Sequence, residues 1–458
     1  MEKCKTRAEL PSWIRAIAIS LAPLVAVGLL RYVFVSVPRA SSKLGENGGT
    51  HRVVGYSMEP SLRGSRLAAV CSRCDAKMRV FESRGAAPLW LCPHCGEPLK
   101  AGGAGRAEGE RVVVRPLGPA DRVERDDLVV FRDAQEGQWH VKRVVGLPGE
   151  RLAIDHGNLT IDGQVIRKSV WRFMKSATLL AVWHPDLPES DRWDSLDCQE
   201  AVLSYRHRSP WPRKAKGYAL QPTAVTDEDW QDSDQSWPMV TVDDVGVVLE
   251  FSDLSPGFSV EVEGHHPVER WLVKLYRMES GTWQVVAGVS GSPLGQQFLS
   301  REMKSGPTSS VRIVVAHVDS AVRVGMEGGE EHLWPWPLPQ LSQAGGSDEH
   351  KEESVVSAAQ PLQIRWSKGA GQLTKAWVVR DVHYRGPHGE TTWEATVPAA
   401  HLYVLGDHPS GSLDSRQQGP LPLDPKTIFG RVEALGSWSE RLKHQETDLG
   451  ALKVRVFP

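Results

Sequence analysis

The strongest constraint on the fold is a periodicity of two. VGVVLEF (245–251), FSVEVEG (258–264), RWLVKLYRM (270–278), WQVVAGV (283–289) and VRIVVAHV (311–318) are apolar or alternating stretches of strand length separated by turn-forming residues. Alternation gives each strand one apolar face, which needs a second sheet to cover it. The chain therefore reads as mainly β, with a β-sandwich-like inserted domain over residues 168–395. Its 42 Gly and 31 Pro suit a turn-rich chain with few long helices. The 17 Trp are read as core in that insert, against the alternative of a surface for a partner or glycan. A polar stretch, QAGGSDEHKEES (343–354), reads as a loop.

Two other regions flank this unit. RVVVRP, DRVERDDLVVF, QWHVKRVVGLPGE and RLAIDHGNLTIDGQVI are four β-rich stretches within residues 111–167, and HGN and DGQ have hairpin-turn composition. After residue 395 the chain returns to HLYVLGD, a turn HPSGSLDSRQQGPLP and the strand IFGRVEAL, forming a third part, 396–440, before a tail, 441–458. The 54 basic and 56 acidic side chains nearly cancel, which argues against a nucleic-acid partner.

Residues 13–37, WIRAIAISLAPLVAVGLLRYVFVSV, are apolar enough to span a bilayer if Arg15 and Arg31 lie near its ends. Lys3, Lys5 and Arg7 precede it, so residues 1–12 are expected in the cytoplasm and the rest across the membrane. A cleaved signal peptide is the alternative, but SVPRASSK puts Pro38 and Arg39 where a cleavage site needs small residues.

Cys71, Cys74, Cys92 and Cys95 form CSRC and CPHC, seventeen residues apart, inside residues 68–102. That spacing closes a tetrahedral zinc ribbon, and its place in an insertion makes the metal structural. Two disulfides are the rival, given a compartment outside the cytoplasm. Cys4 and Cys198 stand alone.

Three short segments carry the chemistry. GYSMEPSL, in the first part of the catalytic region (45–67), offers Ser57 beside the permissive Gly55. WHVKRVVGLPGE places Lys142 in an apolar strand, where burial lowers an amine's affinity for its proton. GDHPSGSLDSR supplies Asp407, Ser412, Asp414 and Arg416. Singly, each has a plain reading as a turn serine, a surface lysine or an Asx-rich loop.

In order and spacing, the three resemble the conserved boxes of type I signal peptidases. GYSMEPSL fits the family's G-x-S-M-x-P-[ST]-L, KRVVGLPGE fits K-R-x-V-G-x-P-G-[DE], and GDHPSGSLDSR resembles G-D-N-x-x-x-S-x-D-S-R. DDLVVF and LLRYVFV also resemble family segments. The resemblance covers residues 13–67, 111–165 and 400–435, under half the chain.

It implies a Ser57 nucleophile, a Lys142 general base and no cofactor for catalysis. Ser412 would orient the amine, and Arg143, Asp407, Asp414 and Arg416 would hold the lysine strand to the last loop. Val53, Leu62 and Val141 would line shallow pockets for the small residues that end signal peptides of secreted precursors. The enzyme would be a single-pass protein of the cell membrane, catalytic on the outer, periplasmic side. Two positions depart from the pattern. Gly55 lacks the serine hydroxyl that some members offer to the oxyanion, and His408 stands in place of Asn. A self-cleaving repressor-type peptidase is disfavoured by the anchor and the KRVVGLPGE box. A membrane-tethered scaffold that has lost catalysis is the alternative of another class.

Overall fold

The computed structural model describes residues 49–73, 77–80, 90–92, 97–99, 105–118, 120–133, 137–186, 192–197, 201–209, 221–227, 239–266, 270–289, 299–304, 310–336, 360–367, 369–424, 426–433 and 438–449. The expected membrane segment 13–37, the N-terminal residues 1–12, and Cys4, Cys74, Cys95 and Cys198 lie outside them. Among the described residues no helix is long and apolar enough to cross a membrane.

The chain is mainly β. One seven-stranded antiparallel sheet gathers strands far apart in sequence, in the order Gly49–Arg52, Arg111–Pro116, Ile428–Glu433, Leu128–Arg132, Trp139–Gly146, His401–Leu405, Leu421–Pro422. Beside it lies a four-stranded sheet ordered Gln164–Val165, Asn158–Ile161, Arg151–Asp155, Thr392–Thr396. Its two hairpins turn on His156-Gly157 and Asp162-Gly163, all four with positive φ, which is the type I′ geometry that HGN and DGQ favour. Thr392–Thr396, at the end of the stretch expected to form the insert, pairs with Arg151–Asp155 instead.

Two further sheets share one apolar core. The first runs Thr178–Trp183, Gln372–Arg380, Val245–Ser252, Ser310–His317, Ala321–Met326, Glu331–Pro335. The second runs Trp193–Asp197, Ala201–Tyr205, Leu362–Trp366, Ser259–Gly264, Trp271–Arg277, Trp283–Val289, Leu299–Met303. Val247, Leu249 and Phe251 from the first face Val260, Val262, Trp271 and Trp283 from the second, as period-two alternation requires. Phe251 and Phe258 meet edge to face at 4.9 Å, worth about 0.5–1.5 kcal/mol beyond the area they bury.

The outer face of the first sheet is covered by two helices, Val170–Ser176 and Trp438–Leu449. The latter opens before residue 441 and runs through the first half of the stretch read as a tail. Trp438 and Leu442, four apart and so on one helical face, are buried there, and Trp438 stacks on Trp171 at 5.8 Å. Gln445 fixes the helix to the sheet by accepting from Leu179 N and donating to Ala177 O. At the base of the insert Lys168 Nζ lies 2.9 Å from Asp319 and 2.5 Å from Asp381. These two carboxylates and Asp244 come from neighbouring strand ends, so one buried amine ties the insert to the chain that enters it.

Candidate active site

The serine segment is a tight turn. Glu59 N donates to Tyr56 O, Leu62 N to Met58 O, and Ser65 N to Val54 O, which leaves Ser57 half-buried at the tip. Arg66 clamps the turn from below by pairing with Glu59, and its guanidinium also sits 5.2 Å above the Tyr56 ring. The Ser57 N–H makes no hydrogen bond among the described residues, whereas Ser57 O accepts from His408 N at 3.1 Å.

Lys142 lies at the middle of the Trp139–Gly146 strand, paired with Val129. Its neighbours on that face, Val129, Val144 and Val404, are almost fully buried. Only 1% of Lys142 is exposed, and its Nζ is hydrogen-bonded to Ser57 Oγ at 2.6 Å, across 85 residues of sequence. Burial pushes the amine down from 10.5 to about 8; Asp414 and Asp407 oppose that shift and Arg416 adds to it.

Arg143, the next residue, points to the opposite face. Its guanidinium grips Asp407 with two bonds, 2.8 and 2.6 Å, and reaches Ser61 Oγ at 3.0 Å. Burial would raise the Asp407 acid, but Arg143, Ser61 and Tyr384 outweigh it and hold the carboxyl below its usual range. Asp414 and Arg416 form a second, fully buried fork at 2.8 and 2.7 Å. Asp414 also caps the Ser415–Gln418 turn of helix and accepts from Gly406 N at 2.9 Å. The two ion pairs hold the segment 405–408 against the serine turn. Gly406 is required there, since a β-carbon would lie 2.4 Å from Ser57 O and 2.1 Å from Ser412 Oγ.

Ser412 is buried beside these groups, but its Oγ has no hydrogen-bond partner among the described residues, so the expected bond to Lys142 is not made. Val53, Leu62 and Val141 are brought together in one small apolar cluster with Met58, Leu128, Val112 and Val432. Gly55 has open space around the position of a β-carbon. The His408 ring accepts from Gly411 N and meets Tyr56 edge on at 5.5 Å. Burial, then the charges of Arg66 and Arg380, push this imidazole down to about 3, so it stays neutral like the Asn it replaces. Cys71 and Cys92 are both fully buried.

Sequence reasoning missed Ser61, Tyr384 and Arg385. Tyr384 OH donates to Asp407 Oδ1 at 3.2 Å, and Arg385 O accepts from Arg416 Nη1 at 3.1 Å. Ser61 lies inside the serine segment itself, a polar residue one turn beyond Ser57.

The site thus holds a serine hydroxyl against a buried amine whose hold on its proton is weakened, on an antiparallel β framework. Residues 49–192, which include Ser57 and Lys142, match the family model described as signal peptidase, peptidase S26. No curated protein matches the chain. Among solved structures, ligand-free congerin I is 9% identical over 29% of this chain and 90% of its own, with a TM-score of 0.19. An alginate lyase from Pseudomonas aeruginosa is 9% identical over 54% and 98%, at 0.18. A GH43 protein from Bacillus licheniformis is 13% identical over 73% and 74%, at 0.20.

Proposed function

We propose that this protein is a membrane-anchored serine endopeptidase that removes signal peptides from exported precursors, with Ser57 as nucleophile and Lys142 as general base. The observation that carries the reading is the 2.6 Å contact between Ser57 Oγ and the buried Lys142 Nζ. A lysine amine at its ordinary pKa would be almost wholly protonated near neutral pH; here burial among apolar walls brings the neutral form within reach.

The neutral amine takes the Ser57 proton as Oγ bonds to the scissile carbonyl carbon, and the Ser57 N–H supports the resulting oxyanion. The ammonium then returns its proton to the leaving amine as the C–N bond breaks, leaving an acyl ester on Ser57. Lys142, neutral again, deprotonates water, which attacks the ester and releases the carboxylate product. Val53, Leu62 and Val141 belong to the pocket that selects small side chains before the cleaved bond. Each is bulky enough to exclude larger ones.

Residues 13–37 serve in this reading as a single-pass anchor, with residues 1–12 cytoplasmic and the catalytic part on the outer side, facing the lipid surface from which its substrates emerge. Cys71, Cys74, Cys92 and Cys95 hold a structural zinc, for which the complete burial of Cys71 and Cys92 is suitable. The deciding experiment is processing of an exported precursor by the full chain in membrane vesicles. Wild type should release the mature protein and Ser57→Ala should not; equal processing by both would refute the assignment.

A further inference from the structure

The long insert leaves the sandwich through RDVHYR (380–385), and two consecutive residues of that exit each touch a different one of the two buried ion pairs behind Ser57 and Lys142. Tyr384 donates its hydroxyl to Asp407 at 3.2 Å, and Arg385 O accepts from Arg416 at 3.1 Å. We infer that Tyr384 is a positioning residue for the peptidase centre, and that the insert, through this exit segment, sets the geometry of the nucleophile rather than standing apart from it. The inference rests on the peptidase reading above and extends it to a residue and a region outside the three motifs.

The route to the chemistry is short. Asp407 sits between Gly406, whose N–H is held by Asp414, and His408, whose N–H donates to Ser57 O. The same carboxylate fixes Arg143, the neighbour of Lys142, and Arg143 reaches Ser61 at the far side of the serine turn. Locking the Asp407 rotamer therefore fixes both partners of the 2.6 Å contact. Arg143 supplies two bonds in one direction; the Tyr384 hydroxyl supplies a third, from the insert.

The exit segment is itself fixed on the sandwich side, so it transmits rigidity. Arg385 Nη1 donates to Asp227 Oδ2 at 2.9 Å and Arg380 Nη2 to Asp227 O at 3.0 Å. Asp381 N donates to Asp244 O, and its carboxylate meets Lys168. Tyr384 N donates to Gly157 O, and His383 lies so close over Gly157 that a β-carbon there would be 2.2 Å from its ring. Tyr384 is 4% exposed, and burial followed by the nearby Asp407 charge raises its phenol far above its usual range, so it remains a donor wherever the enzyme works.

The test is Tyr384→Phe in the full-length protein, with Tyr276→Phe, an exposed tyrosine on the sandwich, as control. Steady-state cleavage of a precursor peptide is normalised to the concentration of acylatable Ser57, so misfolded protein does not count. The expected result is a kcat about tenfold lower with KM unchanged within twofold, since a charge-assisted hydrogen bond is lost away from the substrate. The acid limb of kcat should also move to higher pH, because an Asp407 charge no longer shared with a phenol hydroxyl favours the Lys142 ammonium more strongly. Should Tyr384→Phe fail to fold, Asp227→Asn loosens the same segment from the sandwich side and should give the same pattern at smaller amplitude. Unchanged kcat and limb in a folded Tyr384→Phe, or in Asp227→Asn where that substitutes, would overturn the inference while the peptidase reading stands. A wild type that neither cleaves nor acylates would overturn both.

Discussion

In the proposed mechanism, changing the pH perturbs the one proton on which Ser57 acylation depends. With the Lys142 amine at about 8, about one molecule in a hundred has a neutral base at pH 6, about one in ten at pH 7 and about half at pH 8. The rate of Ser57 acylation should therefore climb about tenfold per pH unit from 6 to 7 and flatten above 9. Burial, then the Lys142 charge, push the nearby His140 imidazole below its ordinary value. The assay is stopped-flow acylation by an activated ester, which isolates the first chemical step from deacylation. Stability moves in the same direction. The native amine binds its proton less tightly than the unfolded one, so between about pH 8 and 10.5 the unfolded state holds the extra proton and the fold gains stability as pH rises, by up to about 3 kcal/mol. An acylation rate flat from pH 6 to 9 would refute the reasoning, as would a limb centred above pH 10.

Three further outcomes follow from the packing. Asp414→Ala strands the buried Arg416 guanidinium and should cost about 3–5 kcal/mol in urea unfolding, whereas Asp414→Leu with Arg416→Met should recover most of it; an exposed-pair effect under about 1 kcal/mol would contradict the burial of this fork. Gly406→Ala drives a methyl group against Ser57 O and Ser412 Oγ, so cleavage should fall at least a hundredfold with a loss of about 1–3 kcal/mol, and near-normal turnover would show the loop to be looser than described. Native mass spectrometry should find one zinc per chain that is lost in Cys71→Ser; a metal-free protein two hydrogens lighter per cysteine pair would replace the ribbon by disulfides.

How far the sequence alone could be read depended on where each interaction is encoded. That Ser57 and Lys142 meet could be anticipated because each lies in a contiguous segment, and the order of those segments resembles that of a known family. The sandwich was legible because Val247, Leu249 and Phe251 alternate strictly with the other face. The Trp438–Leu449 helix was not, since among its described side chains Trp438 and Leu442 are the buried apolar anchors, and so sparse a stripe does not signal a helix. Tyr384 was equally silent. Its bond to Asp407 depends on the sandwich delivering the exit segment to the back of the catalytic sheet, a tertiary fact with no local signature. The pairing of Thr392–Thr396 with Arg151–Asp155 spans more than two hundred residues, and alternation reveals a strand but not its partner.

The central claim is that the Lys142 amine activates the Ser57 hydroxyl, and the most direct measurement is where an acyl group lands. Wild-type protein, its Ser57→Ala variant and its Lys142→Met variant, each verified as folded, are treated with an active-serine reagent at pH 8 and mapped by peptide mass. The added mass should appear on the Ser57 peptide of the wild type alone. Labelling of Ser57 at an undiminished rate in Lys142→Met would contradict the account.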